Sequence, residues 1–187
     1  MSTSTLAPGT YTADSAHSRL GFMVKHAMIS KVRGSFNNFT AVAHLDPSSP
    51  ENSSLEVTIE SASIDTRNAT RDQHLSSSDF LDAPNFPTIR YFAPTIVLPS
   101  ELKVGDMLSV VGDLTIKGVT KPVTIDFEYT GSSIDPYNNL RFGFEATSVI
   151  NRSDWGVSWN GVLEAGGVLV GEAVTLELEI SAIYSQD

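Results

Sequence analysis

The sequence predicts an all-β domain of antiparallel strands, and three observations carry that prediction. Apolar side chains recur at every second position through most of the chain, the period of a strand with one dry and one wet face. Clusters of Gly, Pro, Asn, Asp and Ser interrupt these runs at short intervals, as turns do. With 187 residues, the chain is long enough to bury a core without cross-links, and it contains no cysteine to make them.

In chain order, residues 1–10 (MSTSTLAPGT) read as a short N-terminal extension. They carry no basic segment followed by an apolar run, so the expectation is a mature cytoplasmic start. A strand follows at 20–26, where Leu20, Phe22, Val24 and His26 share one face, and another is expected over 34–44. In the next, Leu55, Val57 and Ile59 alternate with Glu56, Thr58 and Glu60. Residues 68–80 (NATRDQHLSSSDF) break the pattern. They lack β-branched alternation and follow Asp65-Thr66 as a cap, which predicts one or two helical turns ending before Pro84. Strands resume at 90–98, 108–116, 123–130, 141–150 and 174–181, separated by turn-forming pieces at 46–50, 131–133 and 136–139. About eight one-faced strands fit either two stacked sheets or one sheet closed into an up-and-down barrel. Periodicity does not choose between them, and an eight-stranded barrel has room inside for side chains or one small ligand.

Charge and motifs narrow the chemistry. With 12 Lys+Arg against 22 Asp+Glu the net charge is −10, which opposes nucleic acid or an anionic membrane as the main partner through long-range repulsion. No run approaches the roughly 18 apolar residues of a spanning helix, so stable membrane insertion is not expected. The absence of cysteine excludes thiolate metal sites and cysteine nucleophiles. There is no H-E-x-x-H, no G-x-S-x-G and no phosphate-binding glycine loop, so no metal, cofactor or catalytic residue is assigned.

Four histidines remain, His17, His26, His44 and His74, and the plain reading of His17, His26 and His74 is a hydrogen-bonded residue at a strand end or on a helix. His26 differs because it ends an apolar face, which places it near the mouth of whatever that face encloses. Beside it, Lys25, Lys31 and Arg33 form the densest cationic patch in an acidic chain. Such a patch is either solvated surface or, next to an apolar cavity, a seat for an anionic head group. The aromatics Phe22, Phe36, Phe92, Phe127, Phe142 and Phe144 are assigned to the dry faces of their strands, and Trp155 and Trp159 stand close together in sequence. They serve core packing or a cavity lining, two uses that composition does not separate.

Four blocks carry a resemblance to a known family: 16–39 (AHSRLGFMVKHAMISKVRGSFNNF), 63–87 (SIDTRNATRDQHLSSSDFLDAPNFP), 111–123 (VGDLTIKGVTKPV) and 152–160 (RSDWGVSWN). In order and spacing they resemble the YceI-like lipid-binding family. The resemblance implies a single domain over 11–187, folded as an extended lipocalin-like antiparallel β-barrel with short helical insertions around 68–81. It implies a hydrophobic small-molecule ligand such as a polyisoprenoid, a prenylated quinone or a fatty amide, held in an elongated apolar pore. Val24, Leu75 and Phe80 then join the aromatics as pore lining. His17, His26, Arg33, Arg71, His74 and Arg152 become head-group candidates. Members are often dimeric, so a homodimer is the assembly implied, and no catalytic reaction is established for the family at large. Many relatives carry a secretion signal that this sequence does not show. The alternatives are a barrel enzyme with His26 or His74 as acid or base, oriented by Asp72 or Asp79, and an interaction module. The acidic net charge favours a neutral or weakly polar head group over a diphosphate.

Overall fold

The alternating strands close on themselves. In the computed structural model, residues 3–99, 101–162 and 166–186 are described. The first strands are β1 (Thr3–Thr5), β2 (Gly9–Ala13), β3 (Arg19–His26), β4 (Ser30–Phe36) and β5 (Phe39–Leu45). Then come β6 (Ser54–Glu60), β7 (Ile64–Asp65), helix α1 (Ala69–Ser76), β8 (Thr88–Ala93) and β9 (Glu101–Lys103). The long strands β10 (Met107–Ile116), β11 (Val119–Ile134), β12 (Leu140–Asn151) and β13 (Val170–Ser185) complete the chain. Eight strands form a closed antiparallel ring in the order β13, β2, β5, β6, β8, β10, β11, β12 and back to β13. Closure removes the free sheet edges that an open sheet would expose. The β3–β4 hairpin adds to the upper part of β13, and β7 adds to β4.

Parity decides which side chains enter. On β10, Leu108, Val110 and Leu114 are buried while Met107 and Val111 face water. β10 and β11 stay in register for ten pairs, from Met107↔Glu128 to Ile116↔Val119. The turn between them sets Lys117 and Gly118 at φ of 50° and 74°, the two-residue turn whose twist suits a hairpin.

Several expectations are corrected here. The strand expected over 34–44 is two strands, because Asn37 and Asn38 turn the chain. Asn37 N donates to Ser63 O at 3.0 Å and Asn38 Nδ2 to Glu60 Oε2 at 3.0 Å. The strand expected over 90–98 ends at Ala93, since Pro94 has no N–H to continue the ladder. Ile96 and Leu98 stay buried beyond it. Phe92 points outward and is 41% exposed; its neighbours Ile89, Tyr91 and Ala93 take the inward positions. The helix cap is Asn68, whose side chain accepts from Arg71 N at 3.0 Å, in place of Asp65-Thr66. The short N-terminal extension takes part in pairing and packing: β1 pairs with β9, Leu6 is 3% exposed, and Gly9 begins β2.

The lower end is sealed by aromatic packing and by an ionic knot. Tyr11 and Phe142 meet edge to face at 5.3 Å, and Tyr129 lies 6.4 Å from Phe142. Outside them, Arg141 donates to Asp14 and to Asp135, each at 2.7 Å, joining the corner after β2 to the β11–β12 turn. Arg141 and then His17 hold the Asp14 carboxyl at about 2. Asn139 and then Arg141 hold Asp135 well below the usual carboxylate range. Both folded pKa values are depressed, so the knot contributes stability above the unfolded carboxylate value of about 4 and loses it as pH falls toward 2. In Arg141→Met the acid unfolding midpoint, followed by circular dichroism, is expected at higher pH than in the parent; superimposable acid titrations would remove the knot from the account of stability.

Candidate functional site

The inward side chains do not fill the barrel. They surround a cavity of about 320 Å³ whose wall is apolar except for one guanidinium. Aliphatic residues from every side of the ring make the wall, among them Val57, Ile89, Val110, Ile125, Leu176 and Leu178. Two rings lie flat along it because glycine makes room. A β-carbon on Gly34 would sit 2.5 Å from the Phe22 ring, and one on Gly112 would sit 2.6 Å from the Tyr91 ring. The Tyr91 hydroxyl donates towards Val110 O at 2.9 Å and lies 3.1 Å from Val123 O, which pins the ring to the strands. Burial pushes the Tyr91 and Tyr11 phenols up to about 12, so both stay neutral at physiological pH.

The upper end is roofed by two segments. The first is α1 with the turns after it, which bring Leu75, Phe80 and Leu81 over the cavity. Its entry is built by Thr66, which donates to Asp72 at 2.5 Å and accepts from Arg71 Nε at 2.7 Å. Lys117 Nζ donates to Ser78 O at 2.9 Å and fastens the far side. The second is the stretch after β12, where a 3-10 turn at Arg152–Trp155 starts the return towards β13. The two segments meet through aromatic rings. Trp159 packs on His74 at 4.7 Å and on Phe80 at 5.2 Å, and His74 Nε2 lies 2.8 Å from Asp79 Oδ2.

Arg152 is the polar feature of the cavity. It is 6% exposed, borders the space, and spends its donors on backbone carbonyls. Nη1 donates to Val157 O at 2.7 Å and Trp159 O at 3.0 Å, Nε to Gly171 O at 3.0 Å, and Nη2 to Val170 O at 3.3 Å. Asn160 works beside it, exchanging bonds of 2.7 and 2.9 Å with the backbone of Val170. Burial lowers the Arg152 pKa while Glu172 opposes that shift; a guanidinium remains charged in the physiological range regardless. A single cation therefore stands at the top of an apolar tube.

Of the residues expected as pore lining, Phe22, Val24, Phe36, Leu75, Phe80, Phe127 and Phe144 border the cavity. Phe142 lies in the aromatic floor beneath it. Trp155 is buried at the side, donating from Nε1 to Leu114 O at 2.9 Å, and Trp159 sits in the roof above Phe80. Phe92 is outside.

The expected head-group set is dispersed. Arg152 borders the cavity. His26 is half-buried at the end of β3 and His74 faces Asp79 in the roof. Arg71 holds the start of α1 through Thr66. His17 is exposed beside Asp14, and Arg33 lies 3.5 Å from Glu177 on the outer wall. The aliphatic lining and Tyr91 were absent from the expected set. Their signal was available in Arg90, whose charge fixes the parity of β8 and turns Tyr91 in and Phe92 out. Among the described residues no group of three or more acidic or histidine side chains could hold a metal ion, and no helix is long and apolar enough to cross a membrane.

A closed antiparallel barrel around an apolar cavity, roofed by a short helix and a loop at one end and packed at the other, defines the lipocalin-like class of β-barrels. Within that class the chain belongs to the YceI-like domain family, whose profile matches residues 11–182. A UPF0312 protein of Staphylococcus aureus strain MSSA476 is 40% identical over 176 residues, 94% of this chain and 96% of that one. The crystal structure of the YceI protein of Campylobacter jejuni superposes with a TM-score of 0.69 at 30% identity, covering 87% of this chain and 90% of that one. BcnA of Burkholderia cenocepacia gives 0.73 at 24% identity over 90% and 98% of the two chains. A polyisoprenoid binding domain from Saccharophagus degradans shares the fold with a TM-score of 0.71 at 12% identity, over 96% of this chain and all of that one.

Replacing Arg152 by Met leaves several buried carbonyls without a donor, and the expected loss is about 3 kcal/mol of unfolding free energy. Denaturant melts check the magnitude. Amide exchange should also quicken at Val157 and Val170, the two limbs that Arg152 joins; unchanged exchange there would show the guanidinium is not the clasp.

Proposed function

We propose that the protein binds a long-chain amphiphile, with its apolar tail in the barrel and its head at the roofed end, for storage, transport or sequestration. One observation carries this reading: a cavity of about 320 Å³ lined by hydrocarbon and left unfilled by the protein's own side chains. Closely packed interiors leave few voids larger than a water molecule, so an apolar space of this size is a ligand site in waiting. The polyisoprenoid binding domain from Saccharophagus degradans, which shares the fold, supports the choice of an isoprenoid-like tail.

The energetics fit a tail-driven complex. Each buried methylene contributes about 0.8 kcal/mol, so a five-carbon isoprene unit supplies roughly 3–4 kcal/mol before ordering losses. The volume lies at the lower end of the usual 300–1,000 Å³ for ligand sites, which suits one tail of modest length. At the head, Arg152 already serves four carbonyl groups. That arrangement suits a neutral acceptor such as a quinone or amide carbonyl better than a diphosphate, which would need several free cations.

Organic extraction of the purified protein followed by mass spectrometry is expected to yield a hydrophobic passenger with a polar head. Phe144→Arg places a charge in the wall and should abolish uptake of a dansyl-labelled farnesyl amine while a cooperative melting transition persists. Undiminished uptake in that variant would overturn the assignment of the cavity as the tail site.

A further inference from the structure

The β3–β4 hairpin stands at the roofed end of the barrel, where His26 lies opposite Val170, and its tip is unfavourable in water on three counts. Its two central residues, Ala27 and Met28, have φ of 49° and 65°, and Ile29 N donates to His26 O at 3.2 Å. That is a turn for which Asn-Gly is preferred and a β-carbon is penalised. The side chains placed there are apolar and exposed, Met28 at 59% and Ile29 at 91%. Just behind the tip, Lys25 and Lys31 are directly opposed partners on the outer face, a like-charge pair that weakens strand pairing.

A second turn meets the first. Ala27 N donates to Leu169 O at 2.7 Å, and a β-carbon on Gly167 would lie 3.7 Å from Met28 Cγ. This brings exposed Val162 and Val168 to the same end of the barrel. Val170, which follows directly, borders the cavity. Strain, exposed hydrocarbon and a like-charge lysine pair thus coincide at this end of the barrel, and strain of this kind concentrates where a surface is used.

We propose that this tip docks the protein on an anionic lipid membrane, with Met28 and Ile29 entering the acyl region and Lys25 and Lys31 at the phosphate level. The proposal rests on the lipid-binding reading, since it gives the cavity a route to its ligand. Charge complementarity selects the occupant. Arg19 and Arg33 are matched by Glu177, Arg90 by Glu56, Lys121 by Asp154, and Arg141 by Asp14 and Asp135. Among the described residues neither Lys25 nor Lys31 joins an ion pair; of the other cations outside ion pairs, Arg71, Lys117 and Arg152 donate to neutral oxygens, and Arg67 and Lys103 lie elsewhere in the chain.

Among the described residues, two acids at this end have partners of their own: Glu172 accepts from Ser153, and Asp154 faces Lys121. A second copy of this chain docked tip to tip would set the same lysines against each other. The net charge of −10 does not prevent docking. Electrostatic screening acts within about 8 Å at physiological salt, whereas the barrel wall extends some 20 Å away from the tip along β3.

The test sediments the full chain with phosphatidylcholine vesicles made with or without phosphatidylglycerol, and measures uptake of dansyl-labelled farnesyl amine from solution in parallel. The protein is expected to pellet with phosphatidylglycerol vesicles and to release in high salt. Ile29→Asp should lower the partition coefficient at least about tenfold. Replacing Lys25 and Lys31 by Gln should lower it about fivefold for each lysine removed. Both variants should take up the probe and melt as the parent does, since these side chains are exposed. A parent that takes up the probe but never pellets overturns the docking proposal and leaves the cavity reading standing. Variants that pellet like the parent overturn it too, as does a parent dimer that Ile29→Asp converts to monomer, which would make the tip a contact between copies. Failure of probe uptake by the parent would instead refute the cavity reading.

Discussion

Strand β13 is the constraint on which the rest of the structure depends. Along one edge it pairs with β12 through eleven positions, from Arg141↔Ile183 to Asn151↔Ala173. Its other edge is divided, with β3 above and β2 below. Because both edges fix the same residues, a slip of one position would turn Val174, Leu176, Leu178 and Ile180 out into water on both seams at once. The divided edge also shapes the interior. Where β3 and β4 leave the ring, the wall is completed by β7 and α1, and Leu75 and Phe80 reach the cavity from outside the sheet.

An eight-stranded barrel has just enough width for its own side chains, so an unfilled centre needs an explanation. Two aromatic rings supply part of it. Phe22 and Tyr91 lie along the wall over Gly34 and Gly112 when they could point at the axis, and Tyr91 is held there by its hydroxyl. Most of the remaining wall is aliphatic, and the aromatic mass gathers in the floor and the roof. Polarity is handled in the same way. The phenols stay neutral, and the one guanidinium turns its donors to carbonyls. The space that results is dry, weakly polar at one end and closed at the other.

The inward faces of β6, β11 and β13 were legible in the sequence because charged or hydroxyl residues alternate with apolar ones. The same rule, applied to an adjacent pair of aromatics, went wrong at Phe92. Two large apolar residues side by side give no parity of their own, and Arg90 had to be read first. Parity also says nothing about height along the barrel, which is why Phe142 fell in the floor and Trp159 in the roof. The head-group candidates suffered most. His17, Arg33 and Arg71 are polar residues near lining residues in sequence, but their partners are Asp14, Glu177 and Thr66; the first and last lie within five residues in turns that strand periodicity does not describe, and Glu177 is brought by the pairing of distant strands. The split at Asn37-Asn38 was readable as a turn pair, yet an apolar run on either side concealed it.

The two ends of the barrel are built from different materials. The floor is aromatic packing behind a three-residue ionic knot, and the roof is a short helix and a loop that meet through rings packed edge to face, with the loop tied to β13 by one arginine. In the complex proposed above, the sealed floor stops the tail, so the tail's length sets how far its head stands from the floor. A tail that matches the cavity leaves its head at the roof, and the barrel then measures length as well as polarity.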